Sequence, residues 1–91
     1  MIVISDSTEL GNAIRYARKH LSLTQPQLAL ATGVGTRFIV DLEAGKPTVQ
    51  LALVLRVIDS LGGQVTLNGL PEPKESDSED LSLLSGSDTT P

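Results

Sequence analysis

A chain of 91 residues makes one small domain, and its 7 basic residues against 11 acidic ones give a net charge of −4. Those charges are segregated: residues 1–70 carry six basic and five acidic groups, whereas residues 71–91 carry one basic group, Lys74, and six acids, so the body is +1 and the tail −5. The acidic balance therefore belongs to the tail and leaves the body free to meet a nucleic acid, while the lack of cysteine and the single histidine, His20, exclude a disulfide scaffold and a thiolate or histidine metal site.

The chain opens with Ile2, Val3 and Ile4, a β-branched run that fits a short strand. Asp6-Ser7-Thr8-Glu9 is a capping-box pattern, after which Leu10, Ile14, Ala17 and Leu21 recur at helical spacing and predict a first helix over residues 7–21. Arg15, Arg18 and Lys19 fall off that stripe and read as a solvated face. Thr24-Gln25-Pro26-Gln27 is a second start signal, with proline early in the first turn where its missing N–H does no harm, and it opens a helix of about eight residues that Gly33 stops with positive φ. Gly35 permits a third start, and Thr36 to Glu43 form two turns with Phe38, Ile39 and Leu42 available for packing. After Lys46-Pro47, Thr48 is placed to cap a fourth helix, Val49 to Leu61, apolar enough to need cover on most faces from its own domain or a twin. Gly62-Gly63 closes it, Gln64 to Asn68 alternates like a half-buried strand, and from Pro71 the composition reads as a disordered acidic tail.

This order predicts an all-α bundle of four to five helices with a short terminal strand over residues 1–70, followed by the tail over 71–91. A core drawn from about 70 residues is marginal for an isolated chain, so a homodimer is expected. The start MIVISDS has no basic, long apolar leader, and nowhere do 18 apolar residues run together; the expectation is a cytoplasmic protein without a membrane partner.

Two short helices joined through Gly33 and flanked by longer ones match a helix-turn-helix, a tight turn that projects its second helix outward. In such a unit the N-terminus of the second helix faces a phosphate, where unpaired amides and the Gln25 side chain donate, and Gln27 shares that turn. The first turn of the next helix reaches base edges. Gly35, Thr36 and Arg37 hold those places, with Arg37 able to make a bidentate contact to guanine. Val40 and Asp41 lie a turn later, Val40 set either to touch a thymine methyl or to pack. Phe38 is a core aromatic or a wedge against DNA. Lys46 neutralises a phosphate or is a plain turn residue.

The stretch from Leu10 to Leu61, with TQPQLA and GVGTRFIVDLEAGK at its centre, resembles the XRE/Cro-type helix-turn-helix family, and RFIVDLEAGKPTVQLALVLRVIDSLG resembles its HipB branch, antitoxins encoded beside a HipA-type serine/threonine kinase toxin. The resemblance implies a dimer that binds an inverted-repeat operator in double-stranded DNA and represses its own operon. It also implies that Gln25 contacts phosphate, that Gly35, Thr36 and Arg37 open the recognition helix, and that Glu43 is structural. Gly35 departs from the family, where many relatives carry a polar reader, and shifts base reading onto Thr36 and Arg37. The family's C-terminal strand, which pairs with its twin's, falls on Val65, Thr66 and Leu67, and Ile2, Val3 and Ile4 fit an outer strand of that sheet.

In the tail, Leu81, Leu83 and Leu84 stand in an acidic setting, as a segment that folds against a toxin groove or as incidental leucines of a solubilising tail. An antitoxin-repressor and a stand-alone repressor both fit. A protein-interaction module without DNA binding is a third reading. No nucleophile is paired with a base and no glycine loop cradles a phosphate, so neither an enzyme nor a cofactor is expected.

Overall fold

The computed structural model describes residues 1–73 and contains four helices: α1 (Ser7–His20), α2 (Gln25–Thr32), α3 (Thr36–Glu43) and α4 (Leu51–Ser60). The first two starts and all four stops have local causes. The Asp6 carboxylate accepts from the Glu9 backbone N–H at 2.8 Å, and the Glu9 side chain reaches back to the Ser5 N–H. At α2 the capping box closes both ways, Thr24 Oγ1 accepting from the Gln27 N–H and Gln27 Oε1 accepting from the Thr24 N–H.

All four helices end in the same double closure, in which a residue one or two positions past the helix turns left-handed and the next residue's N–H bonds back five residues: Leu23 to Arg18, Val34 to Ala29, Lys46 to Asp41 and Gly63 to Ile58. Three of the four left-handed positions are glycines, Gly33 among them at φ 75°; the fourth is Ser22, at φ 60°. The first three of these reversals direct the next helix back onto the same core.

That core is Ile14, Leu28, Ala29, Ile39, Leu42, Val54 and Val57, with Leu10, Leu23, Val34, Phe38, Val49, Ile58 and Leu61 packed against it. Full burial of a side chain such as Leu28 or Ile39 contributes about 1.5–3 kcal/mol. α3 packs on both α1 and α2, and α2 on α4, so every helix contributes to one cluster. Among the described residues no buried side-chain polar atom lacks a partner; Thr32, for one, donates its hydroxyl to the Leu28 carbonyl.

Several expectations are corrected. Arg18 is not on the solvated face: it is 7% exposed. It stands four residues beyond Ile14, on the face that α1 turns inward, and its charge is met there by Glu43. Helix α4 begins at Leu51 with Gln50 as its cap residue, two positions later than read, and Thr48 caps nothing. The reason is Val49, which packs into the core just before the cap while Val54 is buried one turn inside, a hydrophobic staple. Leu21, the last member of the apolar stripe, is half exposed because α1 has already ended at His20. The chain covers Val54 and Val57 but leaves Leu51 69% and Leu55 45% exposed.

Among the described residues no strand forms. Ile2, Val3 and Ile4, and likewise Val65, Thr66 and Leu67, are irregular and exposed, since a ladder needs a second strand and this chain supplies none beside them. Leu81, Leu83 and Leu84, and the tail from residue 74 on, lie outside the described residues.

Candidate nucleic-acid interface

The two short helices α2 and α3 are joined by Gly33-Val34-Gly35. Gly33 supplies the left-handed residue, Val34 turns its side chain onto the core, and Gly35 is the cap residue of α3. Gly35 does not owe its place to backbone conformation: φ is −75°, which any residue adopts, and a Cβ there meets nothing within 4 Å. It leaves α3 without a side-chain cap and its first turn bare.

Helix α3 is divided lengthwise. Ile39 and Leu42 are buried, Phe38 packs against the core and Val40 is half buried, whereas Thr36 and Arg37 face outward. Arg37 is 83% exposed in its side chain and its Nε lies 3.1 Å from Asp41 Oδ1; Lys46 Nζ approaches Asp41 Oδ2 at 3.6 Å. Arg37, Asp41 and Lys46, expected as separate candidates, form one charged trio.

The far end of α3 is held very differently. Arg18 forks onto Glu43, Nε to Oε2 at 2.6 Å and Nη2 to Oε1 at 2.9 Å, and its Nη1 donates to the Leu23 carbonyl at 2.7 Å. The hydrogen bonds to Glu43, helped by its charge and opposed by burial, push the Arg18 guanidinium above its ordinary value. Gln25 joins this network, its side-chain nitrogen donating to Glu43 Oε1 at 3.2 Å.

That bond redefines the phosphate site expected at the start of α2. In the first turn Pro26 has no N–H, and the Thr24 and Gln27 amides are consumed by the capping box. Gln25 is what remains, through its backbone N–H and the second N–H of a side chain that Glu43 orients. Gln27 is exposed, but its carbonyl belongs to the cap. Beside Gln25 runs a shallow groove of about 560 Å³, floored by Arg18 and Glu43 and flanked by Arg15, Thr24, Pro26, Val40 and Ala44.

Two residues that position this surface escaped the sequence reading. Arg18 was signalled by the spacing Leu10, Ile14, Arg18, which continues the buried stripe. Gly11 is buried inside α1, where a Cβ would stand 2.5 Å from the Leu42 carbonyl oxygen and 2.7 Å from that of Glu43. A glycine in a helix interior, costly in propensity, was the available sign of such close approach. Among the described residues no helix is long and apolar enough to cross a membrane.

Comparison with known proteins agrees with this geometry. The family model described as helix-turn-helix matches residues 14–67. The uncharacterised HTH-type transcriptional regulator y4mF of Sinorhizobium fredii is 47% identical over 64 residues, which span 70% of this chain and 84% of that protein. Of solved structures, HipB in the HipB-O4 20mer complex is 25% identical with a TM-score of 0.70, the match covering 78% of this chain and 100% of that one. The HipA-HipB-O2-O3 complex contains a chain matched to the same extent, with TM-score 0.70, 25% identity and the same 78% and 100% coverage.

Proposed function

Because this chain belongs to the helix-turn-helix family, as a transcriptional regulator of the XRE type, we propose that it is a sequence-specific repressor of its own operon and the antitoxin of a HipA-type serine/threonine kinase toxin. The observation that carries the DNA-binding part is the division of α3, whose buried Ile39 and Leu42 fix the helix while Thr36 and Arg37 project from its first turn, exposed among the described residues. Arg37 reads a guanine edge, Thr36 a base or phosphate, and Gln25 a phosphate through the N–H groups that the capping box and Glu43 leave free.

The protein acts as a homodimer in this reading. Leu51 and Leu55 on α4, Ile2 to Ile4, and Val65 and Leu67 are apolar side chains that the single chain leaves in water, and a two-fold partner removes them from it. The two recognition helices then lie about 34 Å apart, one turn of DNA, and the operator is an inverted repeat. Residues 1–70 are the DNA-binding and dimerisation unit, and Leu81, Leu83 and Leu84 in the tail are the docking segment for the kinase. The antitoxin part rests on the likeness to HipB, which is solved together with HipA. The identity of 47% to a relative described only as a transcriptional regulator favours a second reading, a stand-alone repressor.

One experiment separates the two. Tagged full-length protein and a 1–70 truncation are captured from the native host, and what accompanies each is identified by mass spectrometry and by sequencing of bound DNA. A kinase-like protein near stoichiometry, together with one recurrent DNA region, is the expected result. DNA and homodimer alone establish the stand-alone repressor, and capture of protein without DNA overturns the DNA-binding reading.

A further inference from the structure

The charge around the recognition helix is smaller than its cations suggest. One carboxylate, Asp41, meets both Arg37 and Lys46, at 3.1 Å and 3.6 Å, and at 18% exposure it is far more enclosed than the 83% exposed Arg37. The arrangement does not depend on two long side chains meeting by chance. The closure after α3 bonds the Lys46 N–H to the Asp41 carbonyl at 3.0 Å, which returns the lysine backbone to the same turn of helix as the acid. The trio carries a formal +1 where its two cations alone would carry +2.

Resting on the DNA-binding reading above, we propose that Asp41 is a specificity-determining residue: it holds Arg37 and Lys46 against indiscriminate phosphate contact and yields them only to a duplex that presents a G·C pair to the helix. On an arbitrary sequence the two cations meet phosphates alone. Each such contact must break a pair with Asp41 and brings its negative charge toward the polyanion, so counterion release is worth less. At a G·C pair the exchange is favourable on both sides. Guanine N7 and O6 accept two N–H groups of Arg37, and the cytosine N4 amino group donates to a carboxylate, for which Asp41 is then free. Exposed ion pairs are weak enough to open on contact, so the acid costs little at the right site and acts chiefly at the wrong ones.

The test compares full-length wild type with Asp41→Asn, Asp41→Ser and Asp59→Asn, the last an exposed carboxylate on α4 outside the trio that controls for net charge. Each is titrated by fluorescence anisotropy, at several salt concentrations, against a library of duplexes with a randomised centre, and the bound fraction is sequenced over successive rounds of selection. The two Asp41 variants are expected to bind the unselected library about two- to fivefold more tightly, with a salt slope steeper by about 0.9. They are also expected to enrich a motif that is weaker at G·C positions, with Asp59→Asn unchanged. Circular dichroism confirms that all chains are folded, and Asp41→Ser gives the same result through a smaller side chain. Equal gains on selected and unselected duplexes, no gain at all, or the same gain from Asp59→Asn overturn the role of Asp41 while leaving a DNA-binding protein. Wild type without salt-dependent affinity for any duplex overturns the DNA-binding reading, and this inference with it.

Discussion

The two ends of α3 are built on opposite terms. At its C-terminal end the chain is fixed by a forked ion pair, by Gly11 lying against the Leu42 and Glu43 carbonyls, and by a left-handed closure at Gly45. At its N-terminal end there is no side-chain cap, open space around Gly35, and an arginine almost wholly in water. A helix that contacts a ligand through its tip gains from this division: the base holds its axis, and the tip carries only an exposed ion pair, Arg37 with Asp41, that a ligand can open. The largest test of the comparison is therefore at the base. Arg18→Met leaves Glu43 buried without its partner and is expected to destabilise the domain by about 3–5 kcal/mol in urea or thermal unfolding. The double change Arg18→Met and Glu43→Leu removes both charges and recovers most of that loss. A single change that costs under about 1 kcal/mol would show the fork to be ornamental.

A second, smaller effect is expected at Gly11. A methyl group there meets backbone oxygens at 2.5 and 2.7 Å, atoms that cannot rotate away, so α1 and α3 must separate. The expected cost of Gly11→Ala is about 1–3 kcal/mol despite the better helix propensity of alanine, measured again by unfolding. Gain of stability instead would mean that the helices slide apart freely and that the base is not rigid.

Both positions mark the limit of what the sequence discloses. Helices α2 and α3 were legible almost to the residue, because Thr24, Pro26 and Gly33 act on their own neighbours through capping and φ, and such signals need no knowledge of the rest of the fold. The exposure of Thr36 and Arg37 at the start of α3 followed from them. Arg18 and Val49 did not, because each takes its place from tertiary packing. Arg18 is buried by a partner 25 residues away, and Val49 gives up a place in α4 to reach the core. A charge on an otherwise apolar face reads as solvated until its counter-charge is located. Ser22, left-handed where the other three closures use glycine, was likewise invisible to composition.

At the tip the comparison predicts effects on binding without effects on folding. Arg37→Ala removes an exposed helical ion pair, a loss of stability of about 0.3–0.5 kcal/mol, while operator affinity falls by about 1–3 kcal/mol if the guanidinium reads a base. Unfolding and duplex titration on the same preparation give both numbers. Losses of equal size would erase the distinction between the two ends.

The smallest expected effect sharpens the comparison most, because it has the opposite sign. Gly35 already has the extended conformation of a helix cap, φ −75° and ψ 152°, and room for a side chain, so Gly35→Ser places a hydroxyl where it accepts from the first turn of α3. It also lowers the conformational freedom of the unfolded chain, and the two gains together amount to about 0.5 kcal/mol of added stability. The base of the helix lies seven residues on, about 10 Å along the axis, so this gain is expected to add to the loss from Gly11→Ala rather than to interact with it. A double mutant that departs from additivity by more than about 0.5 kcal/mol would mean that strain at one end of α3 is felt at the other. Additivity would mean that a new side chain at position 35 leaves untouched the packing that fixes the base of α3, so that the two ends of the helix answer to separate causes.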